Sequence, residues 1–320
     1  MDFGKMWTEN GVMSMKRVHK ITPFMTVLLI ALSIYALSMI VLVAWGMLSS
    51  LKTITEFNRE DPLWLPNGAP WEWSWKNYAD VISNFRVPVK REINGMRVPY
   101  NIGYVELLTN TILYAGVGAV LSAMVPCLVA YVTAKFGGKF SSIIHTIVII
   151  TMAIPIVGAQ PSEIQFLRIF NLYDTIWGAW VLKFNFLGMY FLVYYGTFKG
   201  MAKDYAEAAY LDGASELTVM VRIMLPLVRN VIMTVILIRF IEFWNDYQMP
   251  LLYMPSRPTL AYGAWWLGTA NSSSAAESRD FFEVPYRMTA CCTVAVPILV
   301  LFAIFKDRII GNVSMGGVKE

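Results

Sequence analysis

Four stretches of this chain reach membrane length without a single Asp, Glu, Lys or Arg: Ile21–Leu51, Leu107–Ala134, Phe140–Ser162 and Met288–Phe305. A helix crosses the roughly 30 Å hydrocarbon layer with about 20 apolar residues at 1.5 Å each. Runs of this kind therefore restrict the chain to helices packed in lipid. Composition permits that solvent, since 57% of residues are hydrophobic, only 15% are charged and mean hydropathy is +0.51. Two further segments are apolar but interrupted: about 179–198, with Lys183 near one end, and about 227–253. The sequence thus predicts an all-α membrane protein with six transmembrane helices.

Orientation follows from the basic residues. With the N-terminus inside, cytoplasmic segments hold thirteen Lys and Arg and the short outer loops five. The long segment Lys52–Glu106 adds seven, but seven acidic residues accompany them, and long loops weigh little in this rule. The expected organisation is a cytoplasmic N-terminus over 1–20, a first span over 21–50 and an extracytoplasmic loop over 51–106. A five-helix core over 107–305 then encloses a cytoplasmic loop over 200–226, and 306–320 form a cytoplasmic tail. The basic bias accounts for the formal charge of +4 without a nucleic-acid partner. The first run is too long for a signal-peptide h-region and lacks a clear small-residue cleavage site, so it reads as a retained span.

Chemistry is absent from the obvious places. Cys127 lies in the second span, and the adjacent Cys291 and Cys292 point in different directions on the sixth, which fits packing better than a disulfide or metal site. His19 and His145 are isolated, and no phosphate-cradling Gly-x-x-x-x-Gly-Lys-Ser/Thr loop occurs in the chain. No catalytic residue, metal or cofactor is expected. The Lys52–Glu106 loop carries Trp64, Trp71, Trp73 and Trp75 among the turn signals Pro66-Asn67-Gly68 and Asn94-Gly95. Those aromatics suit headgroup anchoring or an external docking surface equally well.

The most patterned polar segment is Glu207–Pro226, EAAYLDGASELTVMVRIMLP. It fits Glu-Ala-Ala, three residues, Gly, nine residues, Ile, one residue, Leu-Pro. Asp204–Leu211 are good helix formers, and Ala208 and Ala209 leave little bulk on one side. Gly213 permits the turn that ends this helix because it tolerates positive φ. Leu217, Met220, Val221 and Met224 recur at helical spacing, and Pro226 marks the restart into the fifth span. The alternative is an ordinary interfacial helix–turn–helix.

This pattern resembles the cytoplasmic coupling loop of bacterial ABC importer membrane subunits. From the second span onward the chain looks like the smaller, six-span permease of maltose-type carbohydrate importers. Thr109-Asn110-Thr111, Leu128-Val129-Ala130-Tyr131 with Lys135-Phe136, and Phe243-Trp244-Asn245-Asp246-Tyr247 with Pro250-Leu251-Leu252 carry that likeness. Asn171-Leu172-Tyr173-Asp174-Thr175 resembles the family's Gly-Leu-x-Asn-Thr outer loop with two substitutions. The Gly-rich, Lys-containing end at Gly311–Lys319 is also similar. The resemblance implies the type I ABC importer permease architecture in a bacterial cytoplasmic membrane. It implies half of a heterodimeric pore that works with a second permease, two ATPase subunits and an extracytoplasmic solute-binding protein. The implied substrate is a carbohydrate of oligosaccharide size. ATP and Mg would be bound by the ATPases alone. Coupling would fall to Glu207, Ala208, Ala209, Gly213, Ile223, Leu225 and Pro226, and ATPase contact in the tail to Gly316, Gly317 and Lys319.

The fifth span places Arg239, Glu242, Asn245 and Asp246 in apolar surroundings. A charge in hydrocarbon costs about 3 kcal/mol or more, so such residues face a bundle interior or a wet cavity. Arg239 and Glu242, three apart, can pair. They either fix helix packing or line a translocation path. Two rival functions stay open at this point: a permease for a non-sugar solute, and a membrane sensor or scaffold that transports nothing.

Overall fold

The computed structural model describes residues 22–59, 62–93, 95–154, 158–269 and 279–313. Two units are distinguished within it, 1–48 and 49–320. The first contains most of α1 (Pro23–Ser50), 28 uncharged residues and about 42 Å of helix, ample for a bilayer.

The second unit begins at the buried Ser49 and Ser50. Two short helices, α2 (Ile54–Arg59) and α3 (Lys76–Asn84), precede a β-hairpin. Its strands β1 (Arg86–Ile93) and β2 (Met96–Gly103) pair antiparallel, Arg86 opposite Gly103 and Ile93 opposite Met96. Gly95, at φ +78°, occupies the two-residue connection, where positive φ suits glycine and matches the twist of a hairpin. The Asn94-Gly95 turn signal was legible, whereas the strands were not among the expectations. Val87, Val89 and Ile102 point inward, with Arg86, Pro88 and Lys90 exposed between and beside the two valines, and the hairpin is the one sheet among the described residues.

The spine is α4 (Tyr104–Phe136), 33 residues long. Ala115, Ala119, Ala123, Cys127 and Ala130 form a stripe along it with no exposed surface. Small side chains let neighbouring helices approach closely, which is the main source of attraction where lipid competes with apolar packing. A Cβ added at Gly118 would stand 3.3 Å from the Phe243 ring, so that approach is already tight.

The remaining helices are α5 (Gly138–Ala153), α6 (Gln160–Ile169), α7 (Ile176–Val181), α8 (Met189–Gly200), α9 (Asp204–Leu211), α10 (Glu216–Val219), α11 (Leu225–Leu227), α12 (Arg229–Trp244), α13 (Gln248–Tyr253), α14 (Leu260–Thr269) and α15 (Val284–Val313). A π-turn at Met220–Met224 joins α10 to α11. Among the described residues, two helices are long and apolar enough to span by themselves, or three if the bent pair Glu216–Leu227 and Arg229–Trp244 counts as one.

Several expected spans are therefore interrupted. The run 140–162 leaves helix after Ala153, where Ile154 is extended ahead of Pro155, the conformation that a following proline favours. The run 179–198 is split into α7 and α8 by a turn in which the Asn185 carboxamide accepts from the Leu187 N–H at 2.8 Å, with Gly188 at φ +137°. The run 227–253 breaks at Asn245–Tyr247, where Asp246 accepts from the Met249 N–H at 3.1 Å and starts α13. Hydropathy averages across such breaks because the turn residues are few.

Two hydrophobic clusters share α4. One packs α3, the hairpin and α14 against Leu107, Tyr114, Phe243 and Ala290. The other packs Ala123, Cys127 and Tyr131 against Tyr194, Ala209, Met224 and Ile232. Polar groups brace the first cluster. Asn110 donates to the Pro258 carbonyl at 3.0 Å, and the Thr111 hydroxyl accepts from Leu260 N–H at 2.8 Å. Asn77 donates to the Ser50 and Lys52 carbonyls at 2.8 Å, which ties α3 to the segment before α2.

The backbone of the loop 171–175 accounts for its departures from the Gly-Leu-x-Asn-Thr pattern. Asn171 and Asp174 have φ of +54° and +63°. Asn and Asp are among the few non-glycine residues that accept this region, so each stands where the backbone geometry favours Gly, Asn or Asp. Asp174 also accepts from Ser256 N–H at 2.8 Å, and Thr175 caps α7 by accepting from Gly178 N–H at 3.0 Å. A side chain at Gly178 would collide with the Leu172 carbonyl at 2.1 Å.

Candidate functional site

The loop 200–226 is a helix–turn–helix followed by a sharp bend. Helix α9 ends with the Gly213 N–H donating to the Tyr210 carbonyl at 3.0 Å and Ala214 N–H to Ala209 at 2.9 Å, while Gly213 sits at φ +79°. That is the left-handed glycine stop read from the sequence. Ser215 then caps α10 by accepting from Thr218 N–H at 3.3 Å. Pro226 lies inside α11, and the chain turns through 71° at Val228 to enter α12.

The small-residue face divides differently from the expected one. Ala206 and Ala209 are buried in the chain's own core, whereas Glu207, Ala208 and Gly213 are exposed. Ala209 is thus a packing residue in the cluster that also holds side chains of α4, α8 and the π-turn, and Glu207 and Ala208 remain for an outside surface. Further along the loop, Met224 is buried and Ile223 and Leu225 are half-buried, while Leu217 and Val221 face outward. The π-turn rotates the side-chain register, so the helical spacing read over 217–224 does not define one face. Leu211, 90% exposed, stands one turn from Glu207 and Ala208 on α9, and Tyr205 and Leu217 are also exposed.

Three residues outside the pattern hold this surface in place. The Tyr210 phenol donates to Glu216 at 2.5 Å, and the Lys135 ammonium sits 5.3 Å from the Tyr210 ring centre. Donation to Glu216 keeps the phenol protonated and pushes its pKa up to about 12. Tyr210 and Glu216 were visible only as positions between motif residues, and Lys135 only as part of the Lys135-Phe136 exit of the second span. The tail residues Gly316, Gly317 and Lys319 lie outside the described residues.

On α12, Arg239 donates to Glu242 at 2.7 Å, the pairing that the three-residue spacing allows. The guanidinium also lies 4.4 Å from the Tyr190 ring centre. Asp246 accepts from the Tyr114 phenol at 2.6 Å and from Met249 N–H. Asn245 donates back to the Ile241 carbonyl at 2.9 Å and is exposed. The structure brings Lys183 into this group, its ammonium 3.8 Å from the centre of the Phe243 ring. Lys183 interrupted an apolar run and was the available signal for it, Phe243 stood in the Phe243–Tyr247 signature without a role, and Tyr114 and Tyr190 gave no signal. Glu242, Phe243, Asn245, Asp246, Tyr247 and Gln248 line a recess of about 470 Å³ at the end of α12.

A helical membrane chain with a polar helix–turn–helix between two apolar segments and a charged recess in the second of them has the form of a transporter subunit. Residues 126–313 match the model of the binding-protein-dependent transport system inner membrane component family, and the chain belongs to that family. It is 25% identical to the diacetylchitobiose uptake system permease protein of Streptomyces coelicolor, over 89% of this chain and 86% of that protein. Identity to the sulfoquinovosyl glycerol transport system permease protein of Agrobacterium fabrum is 23%, over 86% and 87%. The arabinooligosaccharides transport system permease protein of Bacillus subtilis is 24% identical over 68% and 74%. The fold is shared with a chain from the crystal structure of a bacterial ABC transporter involved in the import of the acidic polysaccharide alginate. That match has a TM-score of 0.70 at 19% identity and covers 92% of this chain and 99% of the other. The chain is accordingly an ABC importer permease, a membrane subunit that works with other ABC subunits and a binding protein and leaves ATP hydrolysis to a separate subunit.

Proposed function

We propose that this chain forms half of the pore of an ATP-driven carbohydrate importer and receives the ATPase stroke through Glu207–Gly213. The observation that carries the reading is the outward display of Glu207, Ala208 and Leu211 on a helix whose opposite face is locked into the chain's core. An exposed apolar side chain beside a carboxylate on a rigid element suits insertion into a partner's cleft. Ile223, Leu225 and Pro226 then connect that helix to α12, and Arg239, Glu242, Asn245 and Asp246 on and beyond α12 face the translocation path.

The partners in this reading are a second permease, two ATPase subunits that bind ATP and Mg, and an extracytoplasmic solute-binding protein. Gly316, Gly317 and Lys319 add a tail contact to the ATPases. The subunit sits in a bacterial cytoplasmic membrane with both termini cytoplasmic, and its domains follow the boundaries expected from the sequence. Relatives named for diacetylchitobiose and arabinooligosaccharides support a carbohydrate substrate of oligosaccharide size, and one named for sulfoquinovosyl glycerol supports the carbohydrate class. Nucleotide-driven closure of the ATPases moves the coupling helices and shifts the pore between inward- and outward-open populations.

The test is Glu207→Lys in the co-expressed complex. The chain should still insert, while ATPase co-purification and ATP-dependent uptake fall together. Wild-type uptake by that variant would remove the coupling assignment.

A further inference from the structure

The tryptophans that follow α1 stand at a definable depth. One uncharged run ends at Leu51 and another begins at Met288, and Lys52 and Arg287 are the first charges beyond them. The Thr289 hydroxyl donates to the Ser50 carbonyl at 3.0 Å, each residue lying one position inside its run. Both runs therefore reach their polar ends at one level, and the edge of the hydrocarbon passes close to Ser50. The loop 68–78 is fastened at that level. Ser74 N–H donates to the Leu51 carbonyl at 2.8 Å, beside the two Asn77 bonds to residues 50 and 52, and the Tyr78 phenol lies 2.8 Å from the Ser50 hydroxyl. Trp75 directly follows Ser74, and Trp71, three residues before it, is at most about 11 Å away. The headgroup layer on each side of a bilayer is itself about 5–8 Å thick.

This loop is built in advance of any contact. The Trp75 indole N–H donates to the Pro70 carbonyl at 2.9 Å and that of Trp73 to the Gly68 carbonyl at 3.3 Å, while Glu72 accepts from Ala69 N–H at 2.9 Å. Trp73 and Trp75 thus carry no unsatisfied indole donor toward an apolar layer, and little ordering is left to be done on contact. Trp71 is 79% and Trp75 55% exposed, and Lys76 beside them is exposed as well. Indole rings favour the boundary between headgroups and hydrocarbon, and a lysine there keeps its stem among apolar groups and its ammonium among phosphates. We propose that this loop is a membrane-interface anchor, with Trp71 and Trp75 resting among lipid headgroups and Lys76 meeting their phosphates. Depth separates this from the docking reading that the sequence left equally open, because a soluble protein seated at that level has to displace headgroups.

The experiment uses the full complex in bilayer vesicles, with Cys127, Cys291 and Cys292 replaced by Ala and a nitroxide spin label attached at Trp71→Cys. Lys76→Cys, labelled in the same background, is a second site that leaves every tryptophan in place. Relaxation of the label is compared for nickel chelated to lipid headgroups and for a nickel complex confined to water, each against the same label free in solution. Headgroup-bound nickel should relax both sites, and the soluble complex should lose most of the effect it has on the free label. Undiminished relaxation by the soluble complex would overturn the proposal by placing the loop in water. Protection from both forms of nickel would overturn it by showing the patch covered with protein. Loaded solute-binding protein should leave the headgroup signal unchanged; loss of that signal on its addition would assign the tryptophans to docking instead.

Discussion

Gly213 offers the sharpest graded test of the coupling loop. Its φ of +79° is left-handed, and a Cβ placed there meets nothing within 4 Å, so substitution strains the backbone without a clash. Left-handed backbone costs a residue with a side chain about 1–2 kcal/mol, a factor of roughly 5–30 in the ratio of native to alternative loop conformers. Asn tolerates the region better than Ala. Proline cannot reach it at all, and it deletes the N–H that donates to Tyr210, a combined loss of about 3 kcal/mol or more. ATP turnover coupled to uptake should therefore fall in the order wild type, Gly213→Asn, Gly213→Ala and last Gly213→Pro. Gly213→Asn should stay within a few-fold of wild type, Gly213→Ala should lose more, up to roughly 5–30-fold, and Gly213→Pro should abolish coupling. Membrane-inserted protein, measured by immunoblot after alkaline extraction, should stay level across the series, since α4 and α12 are untouched. ATPase recovered on affinity purification should follow the same order as turnover. Equal coupling in Gly213→Pro, or a series ordered by side-chain size, would refute the reasoning.

Other substitutions probe separate links. Tyr210→Phe keeps the ring over which Lys135 sits but removes the bond to Glu216, so it should weaken ATPase co-purification less than Lys135→Ala combined with Tyr210→Ala; equal losses would assign the brace to the phenol alone. Thr111→Val leaves a buried Leu260 N–H without its acceptor and should destabilise the detergent-solubilised protein by about 1–3 kcal/mol, read as a lowered Tm. Exchanging Arg239 and Glu242 should restore assembly lost in either single Ala variant if their ion pair fixes packing, whereas an altered substrate range with intact assembly would assign them to the path. Leu211→Asp should leave the chain folded, because the side chain contacts solvent, yet reduce ATPase recovery; unchanged recovery would remove Leu211 from the docking surface.

Much of this was legible because it is written in short-range chemistry. Uncharged runs gave α1 and α4, Gly213 gave a left-handed stop, and Arg239 with Glu242 gave a pair at helical spacing. What was not legible depends on contacts between distant segments. Ala209 reads like Ala208 along the chain, and only its place in the second hydrophobic cluster turns one inward and leaves the other out. The spans over 140–162, 179–198 and 227–253 look continuous because one Pro, one Gly or one Asp suffices to break a helix without changing average hydropathy. Lys183 was visible as an interruption, but its place on Phe243 depends on α7, α8 and α12 meeting around α4. The odd residues of the 171–175 loop became intelligible only when their backbone angles were known.

An ABC importer permease moves solute only when another subunit's ATP drives it. Reconstitution into proteoliposomes tests this dependence most directly, comparing the purified chain with the complex co-expressed with a second permease and an ATPase. The chain alone should neither hydrolyse ATP nor move an oligosaccharide. The complex should contain two ATPase copies, and its ATP turnover should rise when loaded solute-binding protein is added, with uptake rising in step. Robust transport by the chain alone, or a complex whose turnover ignores the binding protein, would contradict the account.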